Sequence, residues 1–172
     1  MKSLYSMFLS QAYQDCWDDY NRSVKLKNFP RWDYVILTAS NDHQAEGFRR
    51  QIEERKEYLP AGTRFAAIPD RGGERVGSGG ATLEVLKYLH EQEGDFRKLR
   101  VLVIHSGGDS KRVPQYSALG KLFSPVPHQL PDGRSSTLFD EFMICMSSSI
   151  SCGVRTAVGS SKIRISLSRE SI

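Results

Sequence analysis

Three short apolar runs, DYVILTA at 33–39, TRFAAIP at 63–69 and LRVLVIH at 99–105, constrain the fold of this chain more than any other feature. They are apolar at nearly every position and too short for buried helices, the pattern of strands covered on both faces. Between the first two runs, Ala45, Phe48, Ile52 and Leu59 recur on one helical stripe while Glu53, Glu54, Arg55 and Lys56 face water, and Pro60-Ala61-Gly62 ends the pattern. A second helix is expected from about Gly80, with Leu83, Leu86, Leu89 and His90 as its stripe. Strands joined through helices pair in parallel only by crossover connections, almost always right-handed. The chain therefore predicts a doubly wound, Rossmann-like α/β domain of three layers, α/β/α.

Two further helices flank this pattern. Tyr13, Trp17 and Tyr20 share one face of an amphipathic segment over 10–24, and Thr137 with Asp140 makes a Thr-x-x-Asp start for a helix through Leu138, Phe142 and Met146. After residue 146 the regularity stops. Residues 147–172 hold nine serines and, apart from KIRISL, no strand or helix period, so they are expected to be a disordered tail on an ordered region spanning 1–146.

Composition excludes several function classes. A chain of 172 residues has room for one ordinary domain. It has no apolar run of the roughly 18–20 residues that a membrane span needs, and its start is amphipathic where a secretory signal would be continuously apolar. A cytoplasmic protein without a membrane partner is expected. Cys16, Cys145 and Cys152 form no Cys-x-x-Cys, and neither they nor His43, His90, His105 and His128 have metal-ligand spacing, which favours structural thiols over zinc or disulfides. The net charge of +4 resides mostly in the tail, where Arg155, Lys162, Arg164 and Arg169 face Glu170 alone. The remainder is nearly neutral, with acids and bases interspersed as in QIEERKEY, and no nucleic-acid-binding face is expected.

The chemistry lies in two glycine-rich segments at the carboxyl ends of predicted strands, where open α/β sheets hold ligands. ERVGSGGATL, 74–83, opens a helix, and VIHSGGDSKRVPQYSALGK, 103–121, leaves the third strand. Gly77, Ser78, Gly79 and Gly80 of the first, and Gly107, Gly108 and Ser110 of the second, could cradle phosphate oxygens with backbone amides. Neither segment fits Gly-x-Gly-x-x-Gly or a Walker A loop. An isolated glycine loop is as often a structural turn, and an isolated Arg or Lys is more often a surface charge. The ordered set Gly107-Gly108-x-Ser110-x-Arg112-x-Pro114, followed by Lys121, favours phosphate chemistry in which Arg112 and Lys121 stabilise charge on a departing pyrophosphate.

Gly-Gly-x-Gly-x-Arg followed by Pro and Lys is the signature loop of sugar-phosphate nucleotidyltransferases, and this chain resembles it with Ser110 at the third glycine and a slightly shorter spacing to Lys121. More narrowly, WDYVILTAS, LPAGT, ERVGSGGATL, VIHSGGDSKRVPQYSALGKLFSPVP and LPDGRSSTLFDEF resemble, in order, the amino-terminal guanylyltransferase region of bacterial bifunctional fucokinase/L-fucose-1-phosphate guanylyltransferases. The resemblance implies GTP and fucose 1-phosphate as substrates, GDP-fucose and pyrophosphate as products, and Mg²⁺ as cofactor. The ATP loop of the family's kinase half has no counterpart in the sequence. Nor does the Gly-Asp motif, whose aspartate the resemblance gives to the metal: Gly153-Val154-Arg155 follows instead, and no Asp occurs after Asp140. A frameshift with a chance stop, a wrong gene boundary or a short paralogue would each give this tail. The expectation is an incomplete nucleotidyltransferase domain, inactive alone or a non-catalytic nucleotide-binding fragment. The metal ligands and the oligomeric state have no signature in the residues; Asp70, Asp109 and Asp132 are the nearest substitute ligands.

Overall fold

A computed structural model describes residues 3–70, 77–106, 120–151, 159–160 and 163–167. The elements are α1 (Leu4–Lys25), β1 (Tyr34–Ala39), α2 (Asp42–Glu54), β2 (Arg64–Pro69), α3 (Gly77–Glu93), β3 (Val101–His105), β4 (Pro125–Gln129), β5 (Ser135–Thr137), α4 (Leu138–Ser151), β6 (Gly159–Ser160) and β7 (Ile163–Leu167). The main sheet has the order β2-β1-β3-β7-β6. Both β2 and β3 pair in parallel with β1, in the registers Tyr34↔Arg64 and Tyr34↔Val101. The expected parallel α/β core is present.

Because β1 is buried at every position, its alternate side chains must enter two different cores. Val35, Leu37 and Ala39 join Leu102 and Ile104 in a layer with Ala45 and Phe48 of α2, Trp17 and Tyr20 of α1, and Phe139, Met143 and Ile144 of α4. Tyr34 and Ile36 join Val101 and Val103 against Val85 and Leu89 of α3. The connection through α2 leads to one neighbour of β1 and that through α3 to the other. Crossovers of one hand that run in opposite directions lie on opposite faces, as α2 and α3 do. Three layers result.

The structure corrects the expected helix limits. The first crossover helix ends at Glu54, ahead of Pro60, because the chain tightens into a single 3₁₀ turn at Lys56–Tyr58; Leu59 is buried from the extended residue that follows. The second begins at Gly77, and its buried face is Ala81, Val85 and Leu89, whereas Leu83 and Leu86 are 53% and 40% exposed and His90 is exposed. Of the expected stripe only Leu89 is buried, because a spacing of four puts Ala81 and Val85, and neither Leu83 nor Leu86, on its face. The last helix runs past residue 146 to Ser151, and KIRISL supplies β7, which pairs antiparallel with β3. A hairpin that the periodicity did not suggest, β4–β5, turns at Pro131-Asp132-Gly133, with Gly133 at φ +86°. Among the described residues no helix is long and apolar enough to cross a membrane. The first turns of α1 expose Leu4, Tyr5, Met7, Phe8 and Leu9.

The helix α4 starts as its sequence predicts. Asp140 Oδ2 accepts from Thr137 N at 2.9 Å and from Thr137 Oγ1 at 2.6 Å, a reciprocal cap. Its other oxygen lies 3.4 Å from Arg55 Nε, with the two side chains 8% and 16% exposed, and the Arg55 guanidinium sits over the Phe123 ring. This bond ties the end of α2 to the start of α4 across the core. Nearby, Tyr20 Oη donates to the Tyr58 carbonyl, and burial followed by the Asp140 charge holds the phenol above its ordinary range. The thiols of Cys16 and Cys145 meet between α1 and α4, where burial, with the neighbouring Cys16, pushes Cys145 up to about 11. Cys145 stays a neutral thiol at neutral pH, in keeping with a structural role. Removing one partner of a nearly buried ion pair strands the other, so Asp140→Ala should destabilise the chain by about 3–5 kcal/mol in urea denaturation. A loss under about 1 kcal/mol would mean that water already solvates Arg55.

Candidate functional site

The strand order reverses between β1 and β3, and the carboxyl ends of these two strands flank the crevice where such sheets bind ligands. The sheet ladder extends one residue past each end. Asp70 N donates to the Ala39 carbonyl at 2.8 Å, and Ser106 N to the Thr38 carbonyl at 3.3 Å. The chain therefore leaves β2 and β3 on either side of the last residues of β1.

Beyond β1, the start of α2 is tightly built. Asn41 caps the helix through its side-chain oxygen, which accepts from Gln44 N at 2.8 Å. Gln44, only 3% exposed, folds back so that its Oε1 accepts from Ser40 N at 2.8 Å and Ser40 Oγ at 3.1 Å. Against this side chain lies Gly120, at φ +68° and ψ 170°, a region essentially reserved for glycine. A Cβ there would stand 3.0 Å from Gln44 Nε2 and 3.4 Å from Phe48 Cζ.

Lys121 follows at the head of a 3₁₀ turn, Lys121–Phe123, whose other two members are buried. Phe123 stacks between Phe48 and Phe139, at centroid separations of 5.5 and 5.0 Å. Lys121, half-buried, is thereby anchored beside the first turn of α2, at the carboxyl end of β1.

The first glycine-rich segment forms the first turn of α3. Gly77 takes φ +67°, Gly77, Ser78 and Gly79 are exposed and Gly80 is half-buried, and the turn contains no acidic residue. Its leading amides have no intrahelical acceptors. A Cβ built on Gly79 meets nothing within 4 Å, so packing within the described chain does not require glycine there.

Between this turn and the strand ends stands His105, 5% exposed, with Thr38 Oγ1 3.3 Å from Nδ1 and Thr82 Oγ1 3.3 Å from Nε2. Thr82 is thus held against the last residue of β3, which stands two positions before Gly107 in the sequence. Gly107, Gly108, Ser110 and Arg112, and with them Asp109, lie outside the described residues. His105, Thr38 and Gln44 were not among the residues expected at the site. The signal for His105 was its phase, since it continues the Val101, Val103 alternation toward α3 at the last position of the strand.

The resemblance implies Mg²⁺. Among the described residues no three His, Cys, Asp or Glu side chains gather as in an all-protein metal site. Asp132 is engaged with Arg134 at 2.8 Å in the β4–β5 turn. The described residues thus form no all-protein metal cage, which a Mg²⁺ held by one or two carboxylates and substrate phosphates does not need.

Comparison with known proteins bears out the family resemblance. A profile described as the fucose pyrophosphorylase domain matches residues 94–159. The chain is 42% identical over 99 residues to a fucose-1-phosphate guanylyltransferase of Mus musculus, a match that covers 56% of this chain and 17% of that protein. It is 34% identical over 140 residues to a bifunctional fucokinase/GDP-fucose pyrophosphorylase of Arabidopsis thaliana, covering 66% and 13% of the two chains. A Bacteroides fragilis L-fucokinase/L-fucose-1-P guanylyltransferase is 34% identical over 72 residues, covering 38% and 8%. The chain thus spans a small part of the length of these relatives. No solved structure matches it.

Within the matched stretch, Gly120 is the residue whose replacement the local geometry opposes most directly. Gly120→Ala should cost about 1–3 kcal/mol in urea denaturation from backbone strain, with some added crowding at Gln44. A change below about 0.5 kcal/mol would show that the turn carrying Lys121 relaxes freely.

Proposed function

We infer that this chain, a relative of the fucose-1-phosphate guanylyltransferases, supplies the nucleotide half of their site, with residues 1–146 the amino-terminal part of the guanylyltransferase domain. The observation that carries this reading is the match over 94–159, which contains the loop from Gly107 to Lys121. In the proposed reaction an oxygen of fucose 1-phosphate attacks the α-phosphorus of GTP. A new P–O bond forms, the α–β bridging P–O bond breaks, and pyrophosphate departs with the charge on its oxygens. Arg112 and Lys121 neutralise that charge, and amides of Gly77–Gly80, Gly107, Gly108 and Ser110 cradle the phosphates. Mg²⁺ belongs to the proposal through the resemblance alone, and no step is routed through it.

Two features support a phosphate role for the first turn of α3. Its leading amides, which have no intrahelical acceptors, belong to a helix start without an acidic residue. Glycine at 79 lowers helix stability with no packing need inside the described chain, as expected where a ligand approaches the backbone closely. Because the chain spans 17% of the mouse relative and 13% of the Arabidopsis one, we propose that it binds GTP without turning it over alone. The proposal includes a cytoplasmic setting and, by analogy with the bifunctional relatives, a place in the use of free fucose. The second reading, a purely nucleotide-binding fragment, predicts the same binding and differs in never completing an active enzyme.

Titration of purified residues 1–172 with a fluorescent GTP analogue should give saturable binding, and addition of fucose 1-phosphate and Mg²⁺ should release no pyrophosphate. A folded chain with no affinity for GTP would refute the nucleotide reading, whereas sustained turnover dependent on Asp109 would refute the incompleteness. Arg112→Ala and Lys121→Ala should each weaken binding by about tenfold, the scale of one charge-assisted contact. Gly79→Ala should separate the two roles of the turn. It should raise stability by about 0.5–1 kcal/mol and yet reduce GTP affinity, because the helix gains what the phosphate approach loses. Raised stability with unchanged affinity would remove Gly79 from the site.

A further inference from the structure

We propose that His105 is a positioning residue whose ring clamps the glycine-rich start of α3 to the carboxyl ends of β1 and β3, fixing where that turn stands relative to the two strand ends. The purpose of the clamp rests on the nucleotide reading above; its geometry does not. The hydrogen bonds run in one direction. Thr82 Oγ1 donates its single hydrogen to the Ser78 carbonyl at 2.7 Å, so toward His105 Nε2 it can only accept. Nε2 therefore carries a hydrogen. In the neutral ring Nδ1 is then the acceptor, and it receives the hydroxyl hydrogen of Thr38, itself buried. The resulting relay, Thr38 to His105 to Thr82 to the Ser78 carbonyl, starts on the central strand and ends inside the glycine-rich turn.

Such a clamp answers a local weakness. Gly77-Ser78-Gly79-Gly80 is a poor helix start, since each glycine costs up to about 1 kcal/mol relative to alanine, and among the described residues nothing packs where a Cβ of residue 79 would stand. The turn frays unless something outside it holds it. A planar ring with a donor at one end and an acceptor at the other spans two hydroxyls at a fixed separation. An apolar side chain of similar size would fill the space but leave the buried Thr38 hydroxyl without this partner. Contacts of 3.3 Å are long, so the clamp governs geometry more than global stability.

The test uses residues 1–172 without ligand, followed by GTP titration of the same variants. In wild type, His105→Ala, His105→Gln, Thr82→Val and the His105→Ala/Thr82→Val double variant, amide hydrogen exchange is followed for residues 80–85 of α3 and 44–52 of α2. His105→Ala and Thr82→Val should each speed exchange at 80–85 by about tenfold, as loss of one link in a local opening equilibrium does, and leave α2 unchanged. The double variant should add little, because both changes cut the same relay. His105→Gln, whose amide can donate to Thr82 and whose carbonyl can accept from Thr38, should restore most of the protection, and GTP affinity should follow the same order. Unchanged exchange at 80–85 in His105→Ala overturns the proposal, as does exchange faster throughout α2 and α3 alike, or no recovery in His105→Gln. If wild type protects α3 as expected but binds no GTP, the clamp stands and the nucleotide reading falls.

Discussion

A strand buried at every position can persist only if both its faces are covered, and β1 imposes that requirement on everything around it. Val35, Ile36, Leu37 and Ala39 are fully buried and alternate between two cores, so the chain must supply helices on both sides of the sheet. Opposed faces in turn require crossovers that run in opposite directions across the sheet, β1 to β2 through α2 and β2 to β3 through α3, and the reversal of strand order opens the crevice at the carboxyl end of β1. The place of the site thus follows from burial of one strand, before any chemistry is considered.

Strands were the legible part of the sequence because a continuous apolar run of six or so residues has few other uses in a chain of this composition. The helix phases were less legible. Leu83 and Leu86 outweigh Ala81 and Val85 in hydrophobicity, yet the helix lies on β1 and β3 through Ala81, Val85 and Leu89 at spacing four, and Leu83 and Leu86 face outward. The early stop of α2 was hidden for a related reason. Leu59 lies on the helical stripe in sequence but reaches the core from a residue beyond a 3₁₀ turn, while Arg55 leaves the helix to meet Asp140. The Pro131-Asp132-Gly133 turn of the β4–β5 hairpin carried a recognisable signal, the glycine at positive φ, but its flanking strands contain Pro125 and Pro127 and lack alternation.

For the site, spacing conveyed which residues could meet phosphate but not what holds them in place. Lys121 stood out as a cation after a glycine loop. Its anchorage depends on Gln44 and Phe48, more than seventy positions earlier in the chain. His105 was visible only as a histidine without metal-ligand spacing. Its significance comes from Thr38 and Thr82, which approach it from two other elements and from opposite ends of the ring. Tertiary partners of this kind leave no local period.

The glycines of the two segments illustrate how a structure separates residues needed by the fold from residues that the fold merely permits. Gly120 is required internally, because its φ of +68° and the nearness of Gln44 and Phe48 both oppose a side chain, so its presence says nothing about a ligand. Gly79 occupies ordinary helix, with no described residue within 4 Å of where a Cβ would go, and alanine there would strengthen the turn. A helix start weakened without a cause among the described residues is open to whatever approaches its amides, and it makes the turn dependent on support from the sheet through Thr82 and His105. The same loss of helix propensity that leaves the backbone accessible is what gives the polar relay beneath it work to do.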